Sequence, residues 1–599
     1  MTNDNQSEAK KETRSRKFWR IVLGSMVGFV LAMIIITVFY TLFVLGIIAS
    51  VGSKEKATVQ NKSVLKLNLN QPISERAVDM PFDMSSYGYS NPLGLNDILA
   101  VIKHAAGDNR IKDIYINTSS ASASPASLKE IHDALVEFKK SGKFIYAYSD
   151  NYYQNGYYLA TVADSVLLNP TGSVDLRGYA FQVMFYKGLL DKFNVDVQII
   201  RHGQFKSAVE PYMLDKMSEA NRTQLTVLSE SLWATIANDI AAARKLSLDS
   251  LNQITNQMSG YMAETALSQG LVDRLAYASD AEASLRKKLN IGDDENIHFI
   301  TVSQYKSAIP QPKAQSNRIA VVYAVGSIYD GKGDESQNIY SDNFIKTFRK
   351  AYKSDKVKAI VLRINSPGGS ALASENIWHE IEAAKKAGKI VVTSMGDYAA
   401  SGGYYIACNS NYIIAQPNTI TGSIGVFGMI PSFQNALKSN LGITIDVAKT
   451  HEHSDFGTGM RALDQAELDM MQQSIEDIYG TFMQRVANGR KMTVEQVDSI
   501  GQGRVWAGTD AIKIGLVDKL GSLDDAIDKA AELAGITNYS LEYYPKQQSF
   551  FEILFNNMND TESRLASRLG HLYFTYQGLE NIIRAEGVQA RLPFELEIK

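Results

Sequence analysis

The chain has almost no cysteine. Cys408 is the single one in 599 residues, which excludes an internal disulfide framework and any metal site built from several thiolates. No excess of either charge is present: Lys+Arg 61 stand against Asp+Glu 64, for a formal net charge of −3. Nothing in that balance calls for nucleic acid as a partner. Long apolar runs are missing too, with one exception. Ile21 to Ser53 is a stretch of 33 residues without a charged side chain, and no second run of spanning length follows it. What remains is ordinary globular composition, 45% hydrophobic and 21% charged, in a chain too long for one core.

A membrane-spanning helix needs roughly 20 residues, so the run from Ile21 is long enough. Lys10, Lys11, Arg14, Arg16, Lys17 and Arg20 precede it, with Trp19 at the boundary. The positive-inside rule puts residues 1–20 in the cytoplasm as a basic tail and everything after Ser53 on the other side. The alternative is a cleaved signal peptide, with Ala49, Ser50 and Gly52 as its small-residue site. The apolar region of such a peptide is only about 7–15 residues long, and residues 21–53 are read as a retained anchor.

The rest of the chain repeats itself. Ser63–Ile73 resembles Arg318–Ile328. Gly156-Tyr-Tyr-Leu-Ala160 recurs as Gly403-Tyr-Tyr-Ile-Ala407, and Ala266–Leu275 recurs as Ala511–Leu520, at offsets of 247 and 245. Matches in one order at near-constant offset mean a tandem duplication. Each copy alternates apolar strands with helices: Ile111–Ile116, a helix carrying Leu128, Ile131, Leu135 and Phe138, then Phe144–Tyr148 and Ser165–Leu168 in the first. The second has Ile319–Ala324, Val357–Ile364, a helix over Ala371–Ala387, Ile390–Ser394 and Tyr412–Ala415. This alternation implies βαβ units and an α/β fold. The polar link Gln311–Gln315 sets the boundary, giving copies over 54–309 and 310–544. An amphipathic extension, 545–599, carries Phe550, Phe551, Leu554, Leu572, Tyr573 and Phe574 and is expected to pack on the second copy or on a neighbouring subunit.

Gly396-Asp-Tyr-Ala-Ala-Ser-Gly-Gly-Tyr-Tyr405 holds the first candidate for chemistry. A strand ending near Ser394, a turn of small residues and a helix beginning around Ser401 put that serine where exposed N–H groups favour a developing oxyanion. Gly402 and Gly403 would let a carbonyl approach the main chain. The bland reading of Ser401 is a helix N-cap. A second glycine turn, Asn365-Ser-Pro-Gly-Gly-Ser370, offers further amides; without a following Gly-Lys-Ser/Thr it is not read as a phosphate cradle. None of the eight histidines sits in a triad motif. His132 and His379 read as surface residues of helices, and His451 with His453 as a solvated loop rather than a metal pair. Lysine is the other base. Lys206 lies in Gln204-Phe-Lys-Ser-Ala-Val-Glu-Pro-Tyr212, after an apolar strand over 195–200 and close to Glu210. Its bland reading is a solvated amine; as a base it needs the desolvation that lowers a lysine pKa. Aligning the copies sets Gln154 opposite Ser401 and Ser454 opposite Lys206, while Ser119–Ser124 replaces the Ser-Pro-Gly-Gly turn. One copy has the lysine and the other the serine, the pattern left by a pair assembled across a repeat interface.

Over nearly its whole length the chain resembles the long, tandem-repeat form of the signal peptide peptidase A family, serine proteases of the ClpP/crotonase superfamily. The segments carrying this resemblance are Gly203–Tyr212, Asn365–Gly369, Ala399–Tyr404 and Thr421-Gly-Ser-Ile-Gly425. It implies Ser401 as nucleophile, Lys206 as general base and Ser423 as a second hydroxyl orienting the amine, with the amides of Gly369 and Gly402 near the oxyanion. Cys408 reads as a helix packing residue, and neither cofactor nor metal is expected. The resemblance further implies cleavage of signal peptides and other apolar peptides at the bacterial inner membrane, with the catalytic domains in the periplasm and the chains in a bowl-shaped homotetramer. The competing expectations are a crotonase-like acyl-CoA enzyme and a non-catalytic membrane scaffold of the same fold.

Overall fold

The computed structural model describes residues 5–52, 57–77, 93–310, 314–335, 338–546 and 588–591. At the N-terminus a single helix, α1 (Asn5–Gly52), runs from the basic tail through the apolar stretch. Its segment Lys17–Leu42 has a mean hydropathy of 2.7 and faces outward, so it is long and apolar enough to cross a membrane.

The first copy supplies β1 (Ser63–Leu67), β2 (Ile111–Ile116), α2 (Pro125–Lys139), β3 (Ile145–Ser149), α3 (Gln154–Ala160), β4 (Ser165–Leu168) and β5 (Asp196–His202). A long helix, α4 (Glu219–Arg244), and two short strands, β6 (Arg274–Leu275) and β7 (Phe299–Thr301), complete it. Its sheet runs β6-β4-β3-β2-β1-β7, all parallel. The second copy begins with β8 (Arg318–Val325), β9 (Ile328–Tyr329), β10 (Ile339–Tyr340), β11 (Val357–Ser366), β12 (Gly368–Ser370) and α5 (Ala371–Lys386). Next come β13 (Ile390–Ala400), α6 (Gly402–Ala407), β14 (Tyr412–Ala415), β15 (Ile420–Gly422), β16 (Val426–Ser432), β17 (Val505–Ala507), β18 (Lys519–Leu520) and β19 (Ser540–Tyr544). Its main sheet runs β17-β15-β13-β11-β8-β19, with β14 beside β13 and β18 beside β14. Parallel strands buried on both faces read as unbroken apolar runs, and Ala359–Ile364 is one, interrupted only by Arg363.

The duplication is visible in packing detail. A Cβ on Gly403 would meet the carbonyl oxygen of Ser366 at 2.6 Å, and one on Gly156 would run into the carbonyl of Ser119. Both pairs are related by the same offset of 247. Gly403 therefore lets α6 sit on β11, which corrects the expectation that it clears a path for substrate.

Two local readings differ from the sequence. The strand expected to stop near Ser394 continues to Ala400, because its second half pairs with β15, Tyr398 to Ile420 through Ala400 to Gly422. The small residues read as a turn are buried strand positions. His132, expected at the surface, is buried and stacks on Tyr158 with ring centroids 4.5 Å apart. Phe550, Phe551, Leu554, Leu572, Tyr573 and Phe574 lie outside the described residues. Beyond them one more strand, β20 (Val588–Arg591), completes a third sheet, β10-β9-β12-β20-β16-β5. That sheet joins the copies, since β5 of the first pairs antiparallel with β16 of the second from His202–Val426 to Asp196–Ser432.

Candidate active site

Ser401 stands where β13 gives way to α6, and its backbone is unusual: φ 55, ψ −115. Positive φ at a residue with a Cβ costs on the order of 1–3 kcal/mol and persists only where the surroundings fix it. The strain is held by β13 and β15 on one side, with the Ser401 N–H donating to the Gly422 carbonyl at 2.8 Å. The helix-cap reading fails, because the Ser401 side chain makes no capping bond to α6. Its Oγ lies instead 2.8 Å from Lys206 Nζ.

Lys206 arrives from the other copy. β5 delivers the chain to a tight loop whose conformation is set by neighbours. Phe205 N–H donates to the Gln502 carbonyl at 2.8 Å, and Gln224 of α4 donates to the Phe205 carbonyl at 3.0 Å and to Ser207 Oγ at 2.8 Å. Ser207 Oγ in turn donates to Asn221 Oδ1 at 2.9 Å. Gly503, at φ +79, closes over the loop; a Cβ there would meet Lys206 Cβ at 2.6 Å. The amine reaches Ser423 as well, lying 3.1 Å from its Oγ and 3.2 Å from its carbonyl oxygen. Lys206, Ser401 and Ser423 are all fully buried.

Burial lowers the Lys206 pKa well below its ordinary value, and no neighbouring charge contributes. Glu210, adjacent in sequence, is turned away: its carboxylate accepts from Ser218 N–H, Ser218 Oγ and Asn221 Nδ2. The amine's three neighbours are the hydroxyls of Ser401 and Ser423 and the Ser423 carbonyl.

The glycine turn lies alongside. Gly368 has φ +99, and a Cβ there would run into the Ala590 carbonyl oxygen and come within 2.8 Å of Gly402 N. A Cβ on Gly402 would lie 3.2 Å from the same oxygen. Gly369 is paired with Ile328 on one side and Ala590 on the other. Gly368, quoted by sequence reasoning only inside its motif, thus packs as close as either assigned glycine.

The rival candidates separate from this cluster. Cys408 is fully buried, its thiol donates to the Tyr405 carbonyl at 3.1 Å, and burial pushes its pKa up to about 12. His104 pairs with Tyr305 and His202 with Glu476. His453, Asp464 and Glu467 have the spacing of a metal site, but Arg461 already bonds Glu467 at 2.6 Å. In the first copy Gln154 takes the Ser401 position, and its amide is used by the Arg177–Gly178 turn. Ser454, aligned with Lys206, is exposed.

Known proteins match most of the chain. The model of Peptidase family S49 matches twice, at residues 137–292 and 383–537. Protease 4 of Salmonella typhi is 37% identical over 571 residues, covering 91% of each chain. Protease 4 of Haemophilus influenzae is 34% identical over 541 residues, covering 86% of this chain and 87% of its own. Among solved structures, a ClpP1 mutant from Listeria monocytogenes aligns at 16% identity with a TM-score of 0.23, covering 35% of this chain and 94% of its own. The molecule is a serine protease of tandem α/β architecture. It belongs to peptidase family S49.

Proposed function

We propose that this protease works by a serine–lysine dyad shared between its copies, and that α1 holds it in the bacterial inner membrane with the catalytic copies on the periplasmic side. The observation that carries the reading is the 2.8 Å separation of Lys206 Nζ and Ser401 Oγ in a fully buried pocket. Neutral Lys206 takes the hydroxyl proton as Ser401 attacks a peptide carbonyl. The amides of Gly402 and Gly369 are the donors assigned to the developing oxyanion, where one preorganised donor is worth roughly 2.7–4 kcal/mol. Lys206 then protonates the leaving amine and activates the water that clears the acyl-enzyme. Ser423 holds the amine in line.

The substrates are apolar peptides, signal peptides released in the membrane foremost. An extended peptide would enter as an antiparallel strand by displacing β20 from between β12 and β16, the usual geometry of strand addition. A membrane-impermeant fluorophosphonate added to intact spheroplasts should label Ser401, and the label should vanish in Lys206→Ala. Undiminished labelling of that variant sinks the dyad; labelling only after permeabilisation sinks the orientation.

The assembly is a homotetramer. In the second copy, residues 443–447 are the sequence counterpart of β5, yet among the described residues they pair with no strand, and Ile443, Ile445 and Val447 are 49%, 38% and 45% exposed. A neighbouring chain's first copy can cover them, a head-to-tail contact that closes into a ring. Ile445→Lys should shift the mass measured by light scattering in detergent from tetramer toward monomer; an unchanged tetramer removes this contact from consideration.

A further inference from the structure

Lys206 lies on a seam. The loop that carries it belongs to the first copy, while the hydroxyls it meets, on Ser401 and Ser423, belong to the second. One side chain bridges that seam. The Arg504 guanidinium carbon stands 5.2 Å from the ring centre of Phe205, the residue before Lys206, and 4.2 Å from that of Trp506. Among the described residues no carboxylate takes this guanidinium, so its charge is offered to the two rings. We propose that Arg504 is a positioning residue for the dyad, clamping the lysine loop of the first copy to the second through Phe205. The proposal rests on the serine–lysine reading above.

Three observations favour positioning over plain packing. The Arg504 main chain holds the other side of the same contact, its carbonyl accepting the Ser423 N–H at 2.7 Å. Ser423 sits at φ 52, a conformation that a residue with a Cβ keeps only where its surroundings fix it. One residue thus grips the neighbour of the base with its side chain and the partner of the base with its carbonyl. Trp506 gives the guanidinium a fixed wall: its Nε1 donates to the Ile500 carbonyl at 3.0 Å, and its backbone pairs with Thr421 of β15. The duplication supplies a comparison within the chain. At the offset of 245 that relates Ala266 to Ala511, Ser259 stands in the place of Arg504 and Tyr261 in that of Trp506. The cation is missing from the copy whose serine position holds Gln154. The other charged groups around the lysine loop are occupied elsewhere. Arg201 donates to the Lys206 carbonyl, Glu210 accepts from Ser218 and Asn221, Asp498 accepts from Tyr479 and Gln502, and His202 pairs with Glu476. Burial alone lowers the Lys206 pKa, so the amine stays neutral only while the loop stays closed.

Steady-state hydrolysis of a soluble peptide ester by the full chain in detergent, measured across pH, tests this. Arg504→Met should lower kcat by about 10²-fold, the order that a misplacement of about 1 Å costs, with KM little changed. The acid limb of its kcat/KM profile should move to higher pH, because a loosened loop lets water reach the amine and restores its affinity for a proton. Arg504→Lys, which keeps a cation over the rings, should recover most of the rate and the wild-type limb. Phe205→Leu removes one of those rings and should reproduce both effects, so the test stands even where Arg504→Met fails to fold. Combining Phe205→Leu with Arg504→Met should cost no more than either alone, as expected of two residues acting through one contact; additive losses overturn the proposal. Wild-type rates and limb in Arg504→Met and Phe205→Leu, beside an inactive Lys206→Met, also overturn it and leave the dyad standing. A lower kcat with an unmoved limb, equally severe in Arg504→Lys, does the same, since the residue would then only pack. Turnover by Lys206→Met overturns the dyad, and this proposal with it.

Discussion

Lys206→Met should abolish peptide hydrolysis, lowering kcat by about 10⁴-fold or more, the order seen when one member of a catalytic unit is removed, and should raise the melting temperature at neutral pH. Both effects follow from one buried amine. Its folded pKa lies well below the ordinary 10.5 because burial penalises the charged form. The unfolded chain therefore binds a proton that the folded chain refuses, and folding is penalised wherever that difference exists. The contribution of this amine to stability is greatest above 10.5, declines as pH falls from there to the folded pKa, and is level below it. At neutral pH methionine fills similar space without that penalty. Lys206→Arg should be equally inactive, since a guanidinium cannot give up its proton, and it should melt lower than the wild type. In the wild type, kcat/KM should rise with pH as the amine becomes neutral, with its acid limb well below 10.5. Joining Lys206→Met to Ser401→Ala should cost little beyond either alone. Measurable turnover by the methionine variant, or an acid limb near 10, would remove Lys206 from the chemistry.

The largest stability loss should come from Arg363→Met, about 3–5 kcal/mol in urea unfolding at neutral pH, the usual cost of breaking a buried ion pair from one side. Arg363 is fully buried in β11, with Glu75 at 3.0 Å and Glu130 at 2.8 Å, both from the first copy. Asp397 completes the group; it accepts from the N–H of Ser127 at 2.9 Å and from Asn365 at 3.0 Å. Two carboxyls pair with one guanidinium, and burial, together with the negative charges of Glu75 and Asp397, outweighs Arg363 and pushes the Glu130 pKa up to about 7. A carboxyl whose folded pKa is raised contributes stability at low pH that is lost as pH climbs from 4.5 through about 7. Glu130→Gln should accordingly unfold at higher urea than the wild type above that range and resemble it below. Because Asn365 opens the turn that carries Gly368 and Gly369, Arg363→Met should also lower kcat. A loss under 1 kcal/mol would mean that the carboxyls reach solvent or protons more easily than their burial indicates.

The duplication, the alternating elements and the separation of lysine from serine were legible in the sequence because each leaves a local pattern. Repeated Gly-Tyr-Tyr segments mark equivalent helices, and apolar runs such as Ala359–Leu362 mark strands covered on both faces. The buried ion cluster was not legible. Arg363 is one polar residue in an apolar run, and its partners stand 288 and 233 positions away in the other copy. The end of β13 reads as a turn because Gly396, Ala399 and Ala400 look like turn residues, whereas Ala399 and Ala400 pair with β15 and a Cβ on Gly396 would meet Glu75 Oε1 at 2.6 Å. β20 left no signal at all: four residues, Val-Gln-Ala-Arg, are too few to carry a period. His132 escaped because the packing of α2 on Tyr158 depends on a contact outside its helix.

The 195 positions between Lys206 and Ser401 also set a clock on the chain's own synthesis. A polypeptide made from its N-terminus presents the amine long before the hydroxyl exists, and the loop at Gln502–Gly503 that fixes the amine emerges later still. On the serine–lysine reading, a half-made chain is harmless to the machinery around it, and the enzyme becomes competent only once both halves are complete and closed on each other.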